Sequence, residues 1–269
     1  MVKVYMYGDN EAYSFEDLLN IMSILRGENG CPWDREQDHK TIRNNLLEEA
    51  YELADAIDRL DTADMVEELG DLLLQIVFHC QIAKENNAFD IDKVADGICK
   101  KLIYRHPHIF STVKADTSAE VLTNWDKLKN KEKHMSTYTD TLKAVPSAFP
   151  ACLRAQKVQK RASKSGYDFT SLEDTIFNLE GEITELKNAI KNGQKPDAYK
   201  ELGDVLFSAI NIARHLGADA EEELNFATNR FVSRFATAED MAICKGQDLS
   251  QLTDDERDVL WQKAKKSSK

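Results

Sequence analysis

Apolar side chains recur with helical spacing over much of the chain, most clearly in two neighbouring segments between residues 42 and 80. The two apolar stripes are Leu46, Ala50, Leu53 and Ile57, followed by Met65, Leu69, Leu72 and Ile76. Only a short connection around residues 60–63 separates the segments. The pattern therefore predicts an antiparallel helical hairpin with both stripes facing a core.

Acidic residues follow one side of both predicted helices. Glu49 and Glu52 lie beside the first stripe, and Glu68 and Asp71 lie at the same angular offset beside the second. At about 5 Å and an effective dielectric constant of about 20, two carboxylates repel each other by roughly 3 kcal/mol. Four converging carboxylates therefore need a cation, and oxygen ligands without His or Cys favour Mg²⁺ or Mn²⁺ over Zn²⁺.

The acidic pattern occurs twice in the chain. A shift of 133 residues places the four acids of the first copy, without a gap, onto Glu182, Glu185, Glu201 and Asp204. Two neighbouring positions differ between the copies: Gly181 replaces Glu48, and Lys200 replaces Glu67. Acids on helices usually only keep a surface solvated, but two paired sets in register indicate a duplicated domain with two metal sites.

Length and composition fit this duplication. The 269 residues suit two modest domains, and 42% hydrophobic residues with 11 Gly and 5 Pro are typical of a helix-rich globular protein. The segment before Ala151 contains Pro146 and Pro150 and is the best candidate for a linker. We predict an all-α chain of two tandem, duplicated helical-bundle domains with four or so helices each, at residues 1–135 and 151–269, joined by residues 136–150.

Charge and cysteine usage restrict the partners and the compartment. A net charge of −12 argues against binding a nucleic acid polymer. Five Cys without a CxxC pair suggest a reducing environment, and no apolar run is long enough to span a membrane. Residues 1–10 lack the basic start and apolar core of a signal peptide. We expect a soluble, cytoplasmic protein.

The first acidic motif resembles a family signature. Glu48-Glu49-Ala-Tyr-Glu52, fifteen residues, and then Glu68-Leu-Gly-Asp71 resemble the EExxE…ExxD signature of the all-α nucleoside triphosphate pyrophosphohydrolases. From about residue 14 to 262 the chain resembles the two-domain members of the MazG family. Further matching stretches are residues 28–34, 105–110, 124–129, 154–161 and 213–217. The resemblance implies Mg²⁺-dependent hydrolysis of NTPs and dNTPs to nucleoside monophosphate and pyrophosphate, and a tight homodimer.

The resemblance also assigns roles to residues. It implies that the four acids of each half are catalytic and bind metal, with Glu48 as a further metal ligand in the first half. Basic residues that would contact phosphates are Lys101 and Arg105 in the first half, their counterparts Arg230 and Arg234 in the second, and Lys157. Trp261 would stack on a base, or else pack against the body of the protein.

The sequence leaves the active half and the substrate range open. Gly181 departs from the EExxE pattern, but the second half carries the basic helix at residues 154–161 and Trp261, and C-terminal activity is usual in two-domain members. We therefore favour the C-terminal site. Two alternatives remain: a non-catalytic, nucleotide- or protein-binding helical dimer with vestigial metal sites, and a pyrophosphohydrolase specific for one deoxynucleotide or modified nucleotide.

Overall fold

The computed structural model describes residues 12–267, so the segment at residues 1–10 lies outside the described residues. Within this range the chain forms thirteen α-helices and one short 3₁₀-helix, and no β-strand. The all-α prediction is confirmed. The chain divides into two compact units, Met1–Leu128 and Lys129–Lys269.

The first unit is built around one helical hairpin. Its helices are α1 (Phe15–Leu25), α2 (Pro32–Glu36), α3 (Arg43–Asp58), α4 (Thr62–Glu85), α5 (Ile91–Arg105), α6 (Pro107–Phe110) and α7 (Ser118–Glu132), which runs past the end of the unit. Helices α3 and α4 form the hairpin, and α1 and α5 pack against α4. The buried core consists of Met22, Ile42, Val77, Phe78 and Ile82.

The second unit repeats this plan and extends it. Its helices are α8 (Tyr138–Lys143), α9 (Ala151–Ser163), α10 (Leu172–Lys191), α11 (Lys195–Leu216), α12 (Ala220–Ile243) and α13 (Asp254–Ser267), with the 3₁₀-helix at Leu249–Gln251. Helices α10 and α11 form the hairpin, α9 packs on α11, and α12 contacts α9, α11 and α13. In each half, one helix before the hairpin and one after it thus pack against the second helix of the hairpin.

Side-chain caps fix where the helices begin. Ser14 and Asp17 form a capping box at the start of α1, as their spacing predicts. Asp61 accepts hydrogen bonds from the backbone N–H groups of Ala63 and Asp64 and so starts α4, with only three residues between the end of α3 and the start of α4. The tight connection holds the two acidic helices side by side.

One detail of the predicted fold needs correction. The apolar stripes do not face the core along their whole length, because Ile57, Leu69 and Ile76 are 46%, 50% and 39% exposed. Helix α4 instead buries Val77, Phe78 and Ile82, in its C-terminal half, in a core that includes Met22 of α1.

The proposed linker contains structure of its own. Residues 136–150 include α8, which begins with a Thr137–Asp140 capping box and packs against α9. The domain limits proposed from the sequence stay a prediction. Among the described residues, no helix has the combination of length and low polarity required to cross a membrane.

Candidate metal centres

The first hairpin brings three of its predicted acids together. Glu49 on α3 and Glu68 and Asp71 on α4 each place a carboxylate oxygen within 4.8 Å of the others, and all three side chains are half-buried. We call this set the N-terminal trio. Glu52 is exposed and outside the trio, although its charge acts on both Glu49 and Glu68. Glu48 is also exposed and does not belong to the trio.

The N-terminal trio is electrostatically strained. Desolvation, followed by the charges of Asp71 and Glu52, raises the pKa of Glu49 above its usual value. Desolvation, followed by the charges of the same two residues, Glu52 and Asp71, also raises the pKa of Glu68. Burial first, and the neighbouring carboxylates second, thus disfavour the ionised form of both groups, and a bound cation would offset both effects.

The second hairpin forms an equivalent cluster. Glu182 on α10 and Glu201 and Asp204 on α11 also have carboxylate oxygens within 4.8 Å of one another, and we call them the C-terminal trio. Glu201 is only 9% exposed, and its Oε2 atom is buried without a hydrogen-bond partner. A buried carboxylate oxygen without a partner is costly. The donor set therefore fits a hard cation.

Glu185 lies beside the C-terminal trio without joining it. Its side chain is exposed and borders an open cleft with Glu182, Asn178 and Gly181. The aromatic rings of Phe169 and Phe177 line the same cleft. The acids at the corresponding positions 52 and 185 are thus more accessible than the trios in both halves.

Amide and hydroxyl groups orient the first carboxylate of each trio. The Gln75 side-chain amide donates a hydrogen bond of 3.4 Å to Glu49, and the Asn178 amide donates one of 3.4 Å to Glu182. Ser208 Oγ in turn donates to Asn178 Oδ1 at 2.9 Å. Sequence reasoning missed these residues, although the 133-residue shift aligns Ser208 with Gln75 and Asn178 with Asn45.

A lysine contacts two carboxylates of the C-terminal trio. Lys200 Nζ lies 2.9 Å from Glu201 Oε1 and 3.5 Å from Asp204 Oδ2. The hydrogen bond to Glu201 and the charges of both carboxylates raise the pKa of Lys200. Position 67 of the first half carries Glu instead, and no lysine or arginine among the described residues forms a salt bridge with the N-terminal trio.

The predicted phosphate-binding residues of the second half lie on α12. Arg230 is exposed and lines a shallow pocket with Phe226, Asn229 and Ser233. Arg234, one helical turn later, has a buried Nε atom without a hydrogen-bond partner. Over residues 12–267, neither arginine forms a salt bridge. Both guanidinium groups therefore keep hydrogen-bonding capacity for an anion.

Trp261 packs against α12. Its ring centroid lies 5.2 Å from that of Phe231, and Lys265 Nζ lies 5.9 Å from the centre of the indole ring. The side chain remains half-buried. The packing interpretation of Trp261 thus has a direct contact behind it, and its role in stacking on a base stays a prediction.

The basic residues predicted in the first half have different surroundings. Arg105 is only 5% exposed, and its guanidinium lies 5.2 Å over the ring of Trp125. Lys101, one turn earlier, is half-buried. On α9, Lys157 is exposed, with its Nζ 5.8 Å from the Phe149 ring centre. Nucleotide binding by these three residues stays a prediction.

Comparison with known proteins identifies the family to which both acidic hairpins are similar. The family model described as the MazG nucleotide pyrophosphohydrolase domain matches twice, at residues 37–110 and 170–237, and each segment contains one trio. A nucleoside triphosphate pyrophosphohydrolase of Escherichia coli (strain K12) is 40% identical over 252 residues, covering 93% of this chain and 96% of that protein.

A second relative is similar to this chain over nearly the same number of residues. The nucleoside triphosphate pyrophosphohydrolase/pyrophosphatase MazG of Thermotoga maritima is 39% identical over 251 residues, covering 93% of this chain and 95% of that protein. Similarity therefore extends over both hairpins and the helices around them. With its two acidic hairpins and the doubled family match, this chain belongs to the MazG nucleotide pyrophosphohydrolase family.

Proposed function

We propose that this protein hydrolyses nucleoside triphosphates, both NTPs and dNTPs, between the α and β phosphates to give nucleoside monophosphate and pyrophosphate, with Mg²⁺ as cofactor. The names of the relatives support this reaction. The observation that carries it is the buried, unpartnered Oε2 of Glu201 within a carboxylate trio that recurs in the other half. A carboxylate oxygen in that position is suited to a hard divalent ion, and Mn²⁺ is the alternative.

The residues of each half have distinct tasks in this proposal. Glu182, Glu185, Glu201 and Asp204 would hold the metal in the C-terminal half, and Glu49, Glu52, Glu68 and Asp71, with Glu48, in the N-terminal half. When bound, Mg²⁺ supplies positive charge for the triphosphate and makes an attacking water more acidic. Asn178 and Gln75 orient the first carboxylate of each trio.

We assign turnover to the C-terminal half. There, Arg230 is exposed and Arg234 retains an unpartnered Nε, so both can contact phosphate oxygens. In the first half, Arg105, the counterpart of Arg234, is buried over Trp125. Two cations free to bind phosphates favour the second site, and Trp261 beside α12 would supply an aromatic face for the base.

A homodimer is part of the proposal. Both hairpins expose large apolar side chains, including Leu69 at 50% and Ile76 at 39% in the first and Leu202 at 45% and Leu206 at 57% in the second. A second copy would cover such apolar rows. Analytical ultracentrifugation should give twice the 30.5 kDa chain mass, whereas a monomer at micromolar concentration would contradict this. The cytoplasmic location, and the absence of a nucleic acid or membrane partner, stay predictions.

The reaction is tested by chromatographic analysis of products. Purified protein is incubated with each common NTP and dNTP, with and without Mg²⁺, and we expect metal-dependent release of nucleoside monophosphate and pyrophosphate. Glu185→Gln should abolish pyrophosphate release, and the matched variant Glu52→Gln should retain it. Undiminished activity of Glu185→Gln together with loss in Glu52→Gln would move catalysis to the N-terminal half.

The same assay separates the alternatives. Nucleotide binding without turnover in Mg²⁺ would show a binding module with vestigial metal sites. Turnover confined to one deoxynucleotide or modified nucleotide would show a narrow-range pyrophosphohydrolase. Metal and phosphate ligands do not contact the base, so the ranking of substrates carries this information.

A further inference from the structure

We propose that Lys200 is a built-in counter-ion that competes with the divalent metal at the C-terminal trio and lowers the metal affinity of that site. This inference rests on the proposed metal-dependent function. The Lys200 ammonium lies within 3.5 Å of carboxylate oxygens of both Glu201 and Asp204, two of the three members of the trio. Any ion that enters there meets a positive charge already in place.

The two oxygens of Glu201 show how far this neutralisation goes. Oε1 lies 2.9 Å from the lysine, whereas Oε2 is buried and has no partner. Lys200 therefore satisfies only half of a carboxylate that is otherwise shielded from water. The other oxygen remains an unpartnered ligand atom for a metal ion, and that ion binds against the repulsion of the Lys200 ammonium group.

The N-terminal trio lacks this device. Its residue at the corresponding position is Glu67, whose charge contributes to the raised pKa of Glu68. The same position thus adds negative charge in one half and removes it in the other. The N-terminal trio should consequently bind divalent metal more tightly than the C-terminal trio.

The lysine can be exchanged without disturbing the core. Its side chain is 70% exposed, whereas that of Glu201 is 12% exposed. Because the lysine side chain is mostly exposed, substitution at position 200 should leave the packing of the core intact and should act through the charge that Glu201 and the metal meet. The repulsion between a divalent ion and an ammonium group across about 5 Å of water corresponds to a change of about ten-fold in affinity.

The test is a titration of the full-length chain with Mn²⁺, in which the electron paramagnetic resonance signal of free Mn²⁺ measures how much of the ion is bound. Glu68→Gln and Asp71→Asn in the background remove the N-terminal trio, so that binding reports the C-terminal site. Lys200→Met should raise Mn²⁺ affinity about ten-fold, and Lys200→Glu should raise it further. Lys195→Met, an exposed lysine at the start of the same helix, should leave it unchanged.

A reciprocal exchange tests the other half. With Glu182→Gln and Asp204→Asn in the background, Glu67→Lys should lower the Mn²⁺ affinity of the N-terminal trio about ten-fold or more. Thermal unfolding gives a second readout. Lys200→Met should lower the melting temperature in EDTA, because Glu201 loses its counter-ion, and saturating Mn²⁺ should restore it.

The outcomes separate this inference from the proposed function. If Asp204→Asn abolishes Mn²⁺ binding but the Lys200 variants bind as the parent does, the metal site stands and the role of Lys200 is overturned. A loss of stability in Lys200→Met that Mn²⁺ does not reverse would likewise overturn it. If Asp204→Asn leaves Mn²⁺ binding unchanged, the proposed metal centre itself fails.

Discussion

The two halves hold their hairpins in place with the same kind of ion pair but with exchanged charges. In the first half, Arg26 just after α1 donates to Glu85 at the end of α4, with Nη2 2.7 Å from the carboxylate. In the second, Asp168 before α10 accepts from Arg214 at the end of α11 and lies 3.2 Å from His215 Nε2. Duplication has thus preserved the attachment of the long helix and not the residues that make it.

The same contrast appears at the trios. Their carboxylates keep one spacing in both halves, whereas the surrounding charge differs through Lys200 and Glu67. The geometry of a helical hairpin limits where ligands can stand, but it leaves the charge of exposed neighbours free to change. The difference between the halves is therefore expected in metal affinity and turnover more than in shape.

The largest expected effect is on catalysis. Asp204→Asn removes a carboxylate of the C-terminal trio and should reduce pyrophosphate release about a hundred-fold or more, since changes even to groups that only support metal ligands cost up to that factor. Asp71→Asn, the matched change in the other half, should leave pyrophosphate release close to that of the unchanged protein. Steady-state rates with saturating nucleotide check this. A larger loss in Asp71→Asn would reverse the assignment of the active half.

The exchanged ion pairs should contribute similarly to stability. Asp168→Asn and Glu85→Gln each remove the charge that pairs with a mostly buried arginine, whose side-chain exposure is 14% for Arg214 and 6% for Arg26. We expect a loss of about 2 kcal/mol in each case. Urea unfolding followed by circular dichroism measures the free energy of unfolding. A loss in one variant only would show that the two attachments are not equivalent.

The glycine before the last acid of each trio tests whether something must approach the helix there. Gly70 and Gly203 are inside helices, and an added Cβ would meet no atom within 4 Å at either position. Alanine should therefore raise the free energy of unfolding by about 0.5–1 kcal/mol in both halves. Thermal unfolding and turnover are measured together. Loss of turnover in Gly203→Ala alone would indicate close approach of substrate in the second half.

The smallest effect concerns pH and the N-terminal trio. The pKa of Glu49 is raised in the folded state above its usual value of 4.5. Without metal, the ionised carboxylate therefore destabilises the fold, and this loss of stability develops as the pH rises from about 4.5 through the pKa of the folded state. Glu49→Gln should raise the melting temperature by about 2 °C at pH 7 in EDTA, and this gain should disappear towards pH 4.5. Glu182→Gln is the comparison, with a smaller gain expected because Lys200 offsets charge there. Equal gains would mean that Lys200 has no such effect.

Periodicity and internal repetition determined much of the fold. The helical spacing of apolar residues predicted the α3 and α4 helices, and the 133-residue shift located both hairpins and the acids of both trios. Such features are local or repeat in register, so they can be read without knowledge of tertiary contacts. Periodicity did not show which stripe residues a single chain covers, because Leu69 and Ile76 belong to the apolar stripe of α4 and yet stay 50% and 39% exposed.

Only the tertiary structure separated residues that the sequence treats alike. It placed Glu52 and Glu185 outside the trios, buried Arg105 over Trp125 while leaving its counterpart Arg234 half-buried, and brought Lys200 onto Glu201 and Asp204. These distinctions depend on side-chain direction and burial within a few ångströms, which spacing along a helix does not specify. The sequence alone thus determined the family, the all-α fold and the acidic motif, whereas the packing of side chains decided which carboxylate oxygens lie within 4.8 Å of one another.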